Sequence, residues 1–291
     1  MQSPDDPFAA LAEDTLTLDR LGPTTFRSDH RQDNSQGVVF GGQFLAQALL
    51  AAGETAHGWA ANSLSAYFLR ACSVDAPIDY EVEPVRDGRS FANRRVVARQ
   101  GGRALFDMLC SFHVPGDPRS HQGVDIAGLP QPEDLPELQD YLLSRSDRIA
   151  RADVASYFNP LPVQFRLIDP DVTFHLSGDP VPRRNFWMRL PSAGRIADSA
   201  RHRPLIAFVS DFWLGPVAQE LFSPPFPHRA PVVTTSHTIA FHGPARADDW
   251  LLYRVESPFS GEGLGFTRGL LFDRQGRLVC STTQEVVMGR S

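Results

Sequence analysis

The second half of this 291-residue chain repeats the first half, and this duplication limits the possible folds more than any other feature of the sequence. Tyr80-Glu81-Val82-Glu83 recurs as Tyr253-Arg254-Val255-Glu256, and the segment from Ser63 to Phe68 aligns with the segment from Ser236 to Phe241 at the same spacing. Solenoid repeats are about 20 to 50 residues long. A repeat that fills half the chain instead indicates two copies of one folding unit, and the chain is long enough for two domains.

Charge and hydropathy patterning exclude several classes of function. The net charge is -6, which disfavours a nucleic-acid partner because a phosphate polyanion requires a basic face. The sequence contains no lysine, which excludes Schiff-base chemistry. No apolar run approaches the roughly 18 to 20 residues that span a bilayer, and the N-terminus lacks the features of a signal peptide. We therefore expect a cytoplasmic protein with no membrane span and no nucleic-acid partner.

The three cysteines, Cys72, Cys110 and Cys280, are far apart in the sequence and show no paired spacing. This argues against a disulfide framework and against a structural zinc site. Cys110 and Cys280 lie inside apolar strand patterns and are expected to pack in the core. We predict no metal and no cofactor.

Each copy has the pattern of one buried helix followed by an antiparallel meander. The run 41–53 is bounded by glycine and is apolar nearly all round, as expected for a buried helix. Strand patterns follow at 62–70, 77–86, 90–100 and 103–114, and in the second copy an apolar run at 203–218 precedes strand patterns at 232–242, 250–257, 265–273 and 277–288. The predicted fold class is α+β, with two antiparallel sheets that each wrap around a central helix. The predicted units are an N-terminal module at 1–115, a proline- and acid-rich linker at 116–160 and a C-terminal module at 161–291.

Gln284 is an unexpected polar residue on a core face. Side chains alternate between the two faces of a strand, so one face of the last strand carries Leu278, Cys280, Thr282, Gln284, Val286 and Met288. The matching face of the first copy is wholly apolar. A buried primary amide is costly unless it finds partners. Two interpretations stay open from the pattern alone: a glutamine satisfied by backbone groups, or a functional residue.

Asp211 is the second unexpected polar residue, within the apolar run Ile206-Ala207-Phe208-Val209-Ser210-Asp211-Phe212-Trp213-Leu214. Desolvation there would raise the pKa of the carboxyl group toward the range of a general base. The alternative is a structural aspartate that belongs to a polar stripe or caps the helix.

Other chemical motifs are absent or point to structural roles. There is no Gly-x-Ser-x-Gly nucleophile elbow. Gly261-x-Gly263-x-Gly265 lies between two strand patterns and indicates a hairpin turn rather than a dinucleotide site. Pro227-His228-Arg229-Ala230-Pro231 is interpreted as a loop, and His237 and His242 as structural histidines.

Several motifs together resemble the type II acyl-CoA thioesterases, which are TesB-like double-hotdog enzymes. They are Val39-Phe40-Gly41-Gly42-Gln43, Tyr67-Phe68-Leu69-Arg70, Arg86-Asp87-Gly88-Arg89-Ser90-Phe91 and Gln284-Glu285-Val286-Val287-Met288. The resemblance extends over almost the whole chain and implies two tandem hotdog modules that hydrolyse fatty acyl-CoA. It also implies a catalytic trio at Asp211, Thr234 and Gln284, in which Thr234 rests on the resemblance alone. The chain departs from the family at Ser236, Ala240, Asn62 and Ser65, which affects acyl-chain preference more than reaction type.

The resulting hypothesis is a thioester hydrolase in which the trio holds one water and Asp211 takes its proton. One alternative is an enoyl-CoA hydratase on the same fold that uses His228 or His237 with an aspartate. The other is a noncatalytic acyl-CoA-binding protein. An acyl-CoA substrate and a homo-oligomeric assembly are expected, whereas the length of the acyl chain is left open.

Overall fold

A computed structural model of the chain describes residues 7–34, 37–56, 58–114, 116, 118–149, 161–222 and 232–289. The predicted loop around His228 lies outside the described residues. In the described part, no helix is both long enough and apolar enough to cross a bilayer.

The first copy contains a short helix, two short strands, a long helix and a four-stranded meander. Its elements are α1 (Leu11–Thr15), β1 (Asp19–Arg20), β2 (Thr25–Ser28), α2 (Gly41–Gly53), β3 (Ala60–Phe68), β4 (Ile78–Asp87), β5 (Phe91–Gln100) and β6 (Arg103–His113). The helix and the four meander strands agree with the predicted segments to within two residues at each end.

The second copy has the same order after a connecting segment. Its elements are α3 (Leu138–Ser144), β7 (Gln164–Leu167), α4 (Pro170–Thr173), β8 (Arg183–Arg189), α5 (His202–Ser210), β9 (Val232–Phe241), β10 (Leu251–Gly261), β11 (Leu264–Phe272) and β12 (Leu278–Met288). Strands β7 and β8 were not predicted, and the predicted run at 203–218 is divided. Helix α5 ends at Ser210, and a 3-10 helix (Gly215–Gln219) follows a turn in which Trp213 has a φ of 59°.

The two meanders join edge to edge into one antiparallel twelve-stranded sheet, in the order β1-β2-β4-β5-β6-β3-β9-β12-β11-β10-β8-β7. At the junction between β3 and β9, Ser63 pairs with Ala240 and Tyr67 pairs with Ser236. The sequence repeat aligns Ser63 with Ser236 and Tyr67 with Ala240, so exchanging the two copies converts one pair into the other. The two modules are therefore related by an approximate twofold axis at this junction. The predicted α+β architecture of helices wrapped by antiparallel sheet is confirmed, with the two sheets continuous.

Helices α2 and α5 pack against each other inside the curved sheet. Residues 42–52 of α2 are all buried, as its apolar circumference predicted. The contact is close where the start of α2 meets the end of α5. A Cβ atom added to Gly42 would lie 2.3 Å from the backbone oxygen of Phe208. Glycine at position 42 therefore permits the two helix ends to meet.

The segment between the copies covers the outer face of the second meander. Ile126, Leu129 and Leu135 pack with Trp187 and Trp250 in a cluster separate from the main core. The indole of Trp187 donates a hydrogen bond to the Pro130 carbonyl at 2.9 Å. Residues 126–135 of this segment thus pack on the surface of the sheet, whereas Leu138, Tyr141 and Leu142 of α3 belong to the main core. The linker at 116–160 and the module boundaries stay predictions.

Candidate active site

The candidate site lies where the end of α5 meets the start of α2, so residues from both copies contribute to it. Asp211 is the C-cap residue of α5, and its carboxylate accepts a hydrogen bond from the backbone N–H of Gly42. A Cβ atom at Gly41 would lie 2.6 Å from Asp211 Oδ2. The glycine pair therefore makes room for the carboxylate beside the amino terminus of α2.

Asp211 is a desolvated carboxyl group. Its side chain is 7 % exposed. Burial raises its pKa from the ordinary 3.8 to about 6, against the opposing effect of hydrogen bonds from Gln284 and from the Gly42 backbone, which lower it. The group is therefore ionised at neutral pH but has a proton affinity much closer to that of a general base than an exposed aspartate has.

Gln284 lies on the inner face of β12, as the alternation predicted, and its side-chain amide joins the other two predicted residues. Its Nε2 donates to Asp211 Oδ1 at 2.7 Å and to Thr234 Oγ1 at 3.0 Å. The residue is 1 % exposed. The partners of Nε2 are therefore side chains rather than the backbone groups of the alternative interpretation, and within the described residues Gln284 Oε1 has no hydrogen-bond partner.

Thr234 reaches the inner face of the sheet because β9 contains a bulge. Val286 pairs with Thr234 and Glu285 pairs with Ser236, so Thr235 is an extra residue that has no paired residue opposite it in the β12 ladder. A bulge reverses the alternation of side chains on one side of it. This reversal explains why strand alternation could not assign Thr234 to a face, and the structure brings it within hydrogen-bond distance of Gln284.

His237 completes a buried polar cluster with Gln284 and Ser210. Its Nδ1 lies 3.3 Å from Gln284 Nε2, and its Nε2 lies 3.1 Å from Ser210 Oγ. The ring is fully buried, and burial lowers its pKa to about 3, so the imidazole is neutral. His242, by contrast, is exposed and pairs with Ser281 Oγ at 2.9 Å. His237, which was predicted to be a structural histidine, is thus in direct contact with the candidate site.

The first copy lacks these groups at the equivalent positions. The pairing of Gln284 with His237 and Thr267 in the second copy corresponds to the pairing of Cys110 with Leu64 and Arg94 in the first. Thr234 corresponds to Ala61, which also precedes a bulge. The three described cysteines are buried, in agreement with the packing role predicted for Cys110 and Cys280.

Arg94 occupies the region of the first copy that corresponds to the candidate site. It is 1 % exposed. Its guanidinium donates to Thr55 Oγ1 at 2.9 Å, to the Thr55 carbonyl at 2.8 Å and to the Arg86 carbonyl at 3.2 Å, and it pairs with Asp87 at 2.7 Å. These contacts satisfy the buried charge with structural partners, so the first copy holds no equivalent of the polar cluster at Gln284.

Comparison with known families agrees with this geometry. The model of the acyl-CoA thioesterase N-terminal domain matches residues 30–113, and the model of the acyl-CoA thioesterase C-terminal domain matches residues 129–288. The chain belongs to the acyl-CoA thioesterase family. It is accordingly a thioester hydrolase, and the predicted membership of the type II, TesB-like branch is confirmed.

Relatives in this family align over nearly the whole chain. Acyl-coenzyme A thioesterase 8 of Mus musculus is 31% identical over 296 residues, which cover 96% of this chain and 89% of the relative. Acyl-CoA thioesterase 2 of Haemophilus influenzae is 28% identical, with 93% and 94% covered. The solved structure of the tesB protein of Mycobacterium avium subs paratuberculosis has a TM-score of 0.77 and 29% identity, with 97% of this chain and 100% of that chain covered. These matches confirm the double-hotdog fold.

Two features of the candidate site were not singled out from the sequence. Gly41 and Gly42 were noted only as part of a family motif. In the structure they lie so close to Asp211 and Phe208 that there is no room for a side chain at either position. His237 was interpreted as structural, because an isolated histidine in a strand pattern gives no sign of its contacts across the sheet. The pairing of Gln284 with His237 lies in the regular part of the ladder between β9 and β12 and does not depend on the bulge.

Proposed function

We propose that the chain hydrolyses acyl-CoA thioesters to a free acid and CoA by means of a water molecule held by Asp211, Thr234 and Gln284. The observation that carries this proposal is the single amide nitrogen of Gln284, which hydrogen-bonds both to the Asp211 carboxylate and to the Thr234 hydroxyl. An acid, an alcohol and an amide thus converge on one nitrogen atom inside the sheet.

Asp211 is the proposed general base. Its carboxylate removes a proton from the water as the water oxygen attacks the thioester carbonyl carbon. A pKa of about 6, raised by burial, leaves the carboxylate ionised at neutral pH and increases its affinity for the transferred proton. Gln284 and Thr234 hold the nucleophile and the base in a fixed relation, which reduces the entropic part of the barrier.

The amino terminus of α2 is the proposed source of electrostatic stabilisation for the oxyanion. The first N–H groups of a helix have no partner within the helix and lie at the positive end of its dipole. Gly41 and Gly42 allow close approach to this end, which lies beside the carboxylate of Asp211. Donors aimed at a developing oxyanion are commonly worth 10²–10³ in rate.

The leaving group does not require a strong general acid. A thiol with a pKa near 8.5 leaves readily as the thiolate. The neutral histidine in the cluster, His237, is enclosed between Ser210 and Gln284 and has a pKa lowered to about 3. Its enclosure and low proton affinity argue against a hydratase that uses His237 in its Asp/His pair, whereas the alternative that uses His228 falls outside the described residues.

Apolar surface for the acyl group is available beside the carboxylate. The ring of Phe68 approaches within 3.3 Å of the Cβ position of Gly41, next to Asp211 Oδ2. The rings of Phe40 and Phe212 lie 4.5 Å apart at the same helix junction and are half-buried. We propose that these aromatic rings contact the acyl chain near the thioester. The length and branching of that chain stay open.

The test is release of free thiol from a series of acyl-CoA substrates, measured with a thiol reagent, for the wild type, Gln284→Ala and the control Gln275→Ala. Gln275 is an exposed glutamine in the turn before β12. We expect Gln284→Ala to lower kcat by about 10- to 1000-fold, because it removes the group that joins base and nucleophile, and Gln275→Ala to leave kcat unchanged. Saturable binding without thiol release would support the noncatalytic alternative, and hydration of an enoyl-CoA without thiol release would support the hydratase. Wild-type kcat in a folded Gln284→Ala variant would contradict the role of the trio.

The cytoplasmic location and the homo-oligomeric assembly stay predictions. An acyl-CoA as the partner molecule follows from the proposed reaction, and no cofactor takes part in the steps described above.

A further inference from the structure

The buried imidazole of His237 has a defined hydrogen-bond pattern. Ser210 Oγ donates its single proton to the Ala207 carbonyl at 2.8 Å, so the Ser210 hydroxyl can only accept from the histidine. The proton of the neutral ring therefore lies on His237 Nε2, which donates to Ser210 Oγ. His237 Nδ1 is then left as an acceptor, and it faces Gln284 Nε2 at 3.3 Å.

This acceptor determines which way the Gln284 amide can point. The amide could turn over and exchange its NH₂ group with Oε1 without changing its shape. After such a turn, Oε1 would face two acceptors, His237 Nδ1 and an ionised Asp211 Oδ1, at the positions now 3.3 Å and 2.7 Å from Nε2. When Asp211 is protonated, as it is after accepting a proton from water, the carboxyl group could donate to a reversed amide. His237 opposes that reversal in either state of Asp211.

We propose that His237 is a positioning residue that locks the Gln284 amide with its NH₂ group toward Asp211 and Thr234 throughout the reaction cycle. This inference rests on the proposed function of the trio and goes beyond it, because His237 acts through Gln284 and contacts neither water nor substrate. Gln284 Oε1 points toward Gly215, where an added Cβ atom would lie 2.9 Å away. The lock therefore keeps this oxygen away from the carboxylate.

The first copy supports a connection between the histidine and the glutamine. Leu64 occupies the position equivalent to His237 and pairs with Cys110, which replaces Gln284. Both positions are buried on the inner face of their strands. An apolar residue fills the same space where there is no amide to orient, so packing of this position does not require an imidazole.

Two substitutions at position 237 test the two ring nitrogens separately. The Oδ1 atom of an asparagine is as far from Cβ as Nδ1 is in histidine, so His237→Asn keeps an acceptor for Gln284 and loses the contact with Ser210. His237→Gln places its amide near the position of Nε2, which keeps a donor for Ser210 and loses the acceptor for Gln284. The exposed His242→Asn, one residue beyond the end of the same strand, serves as the matched control.

We expect His237→Gln to lower kcat by about 10- to 100-fold, in the range that a small misplacement of a catalytic group causes. KM should stay within about twofold, because substrate does not touch the histidine. His237→Asn should restore kcat to within about fivefold of the wild type, and His242→Asn should match the wild type. Thermal unfolding of all variants supplies the structural control, since each substitution at position 237 removes one of the two polar contacts of the ring and a purely structural role would affect them alike.

Equal kcat values for His237→Asn and His237→Gln, whether both near the wild type or both reduced, would overturn the inference. Gln284→Ala in the same assay separates the two proposals. If Gln284→Ala loses activity while the two histidine variants are equal, only the role of His237 is wrong. If Gln284→Ala retains wild-type kcat, the trio and the lock both fail.

Discussion

The burial of Asp211 predicts that the proposed general base also lowers the stability of the fold. An ordinary aspartate has a pKa of 3.8, and burial raises that of Asp211 to about 6. At about 1.36 kcal/mol per pKa unit, this difference corresponds to about 3 kcal/mol. The folded state binds a proton more tightly than the unfolded state between these two values. The free energy of unfolding therefore falls as pH rises from 3.8 through about 6, and the cost is complete above that window.

Asp211→Asn removes the ionisable group while keeping the shape of the side chain. At pH 8 we expect the variant to gain about 1 to 3 kcal/mol, because the neutral amide avoids the cost of a desolvated charge but gives weaker hydrogen bonds to Gly42 and Gln284. For a chain of this size the gain corresponds to a rise in Tm of about 2 to 10 °C. Near pH 4 the gain should vanish, because wild-type Asp211 is then protonated in the folded state.

The same variant should lose about 10²- to 10⁴-fold in kcat, as expected when a general base is removed. The assays are thermal unfolding followed by circular dichroism between pH 4 and 8, and thiol release from an acyl-CoA under the same conditions. Asp249→Asn, which changes an exposed aspartate in the loop before β10, is the control for both measurements. Wild-type kcat in Asp211→Asn would refute the role of base. A difference in Tm that does not depend on pH would refute the desolvated carboxylate.

Three further substitutions test the surroundings of the carboxylate. Thr234→Val keeps the shape of the side chain but removes the hydroxyl that Gln284 contacts, so kcat should fall by about 10- to 100-fold with little change in Tm; an unchanged kcat would contradict its role. Gly42→Ala places a Cβ atom 2.3 Å from a backbone oxygen of α5, and urea unfolding should show a loss of about 1–3 kcal/mol or more; stability equal to the wild type would mean that the helix ends are not in close contact. Arg94→Met should lower stability by about 1–3 kcal/mol, because it leaves the partly buried Thr55 carbonyl without its donor, while kcat measured on folded protein stays unchanged; loss of kcat at full stability would show that Arg94 takes part in the chemistry.

Elements with a strong periodic pattern could be predicted from the sequence. The long strands that carry Cys110, Cys280 and Gln284 alternate regularly between apolar and polar positions, and short turns separate them, so both their type and their inner face followed from local rules. Strands β7 and β8 could not be predicted in the same way. They lie at one end of the sheet, where β8 pairs with β10, which is distant in sequence, and β7 pairs with β8.

The site was predictable where a single residue broke a pattern. Asp211 and Gln284 were conspicuous because a carboxylate and an amide stood among apolar neighbours. Thr234 was not, because its orientation depends on a bulge that strand alternation does not reveal. The contacts of His237 and of Gly41 depend on tertiary packing, in which the register between strands and the crossing of two helices bring distant residues together.

The hydrogen bond from Gly42 to Asp211 has a consequence for how the duplicated chain can change over evolutionary time. After a gene duplication, one copy is often free to lose its reactive groups, and here Ala61 and Cys110 stand where the other copy has its alcohol and its amide. The N-terminal copy is nevertheless constrained, because its glycine pair borders the proposed reaction centre, whose side chains lie in the C-terminal copy. Substitutions in one copy are therefore constrained by the other copy. A protein that kept only the C-terminal copy would contain Asp211 without the helix end that lies beside its carboxylate.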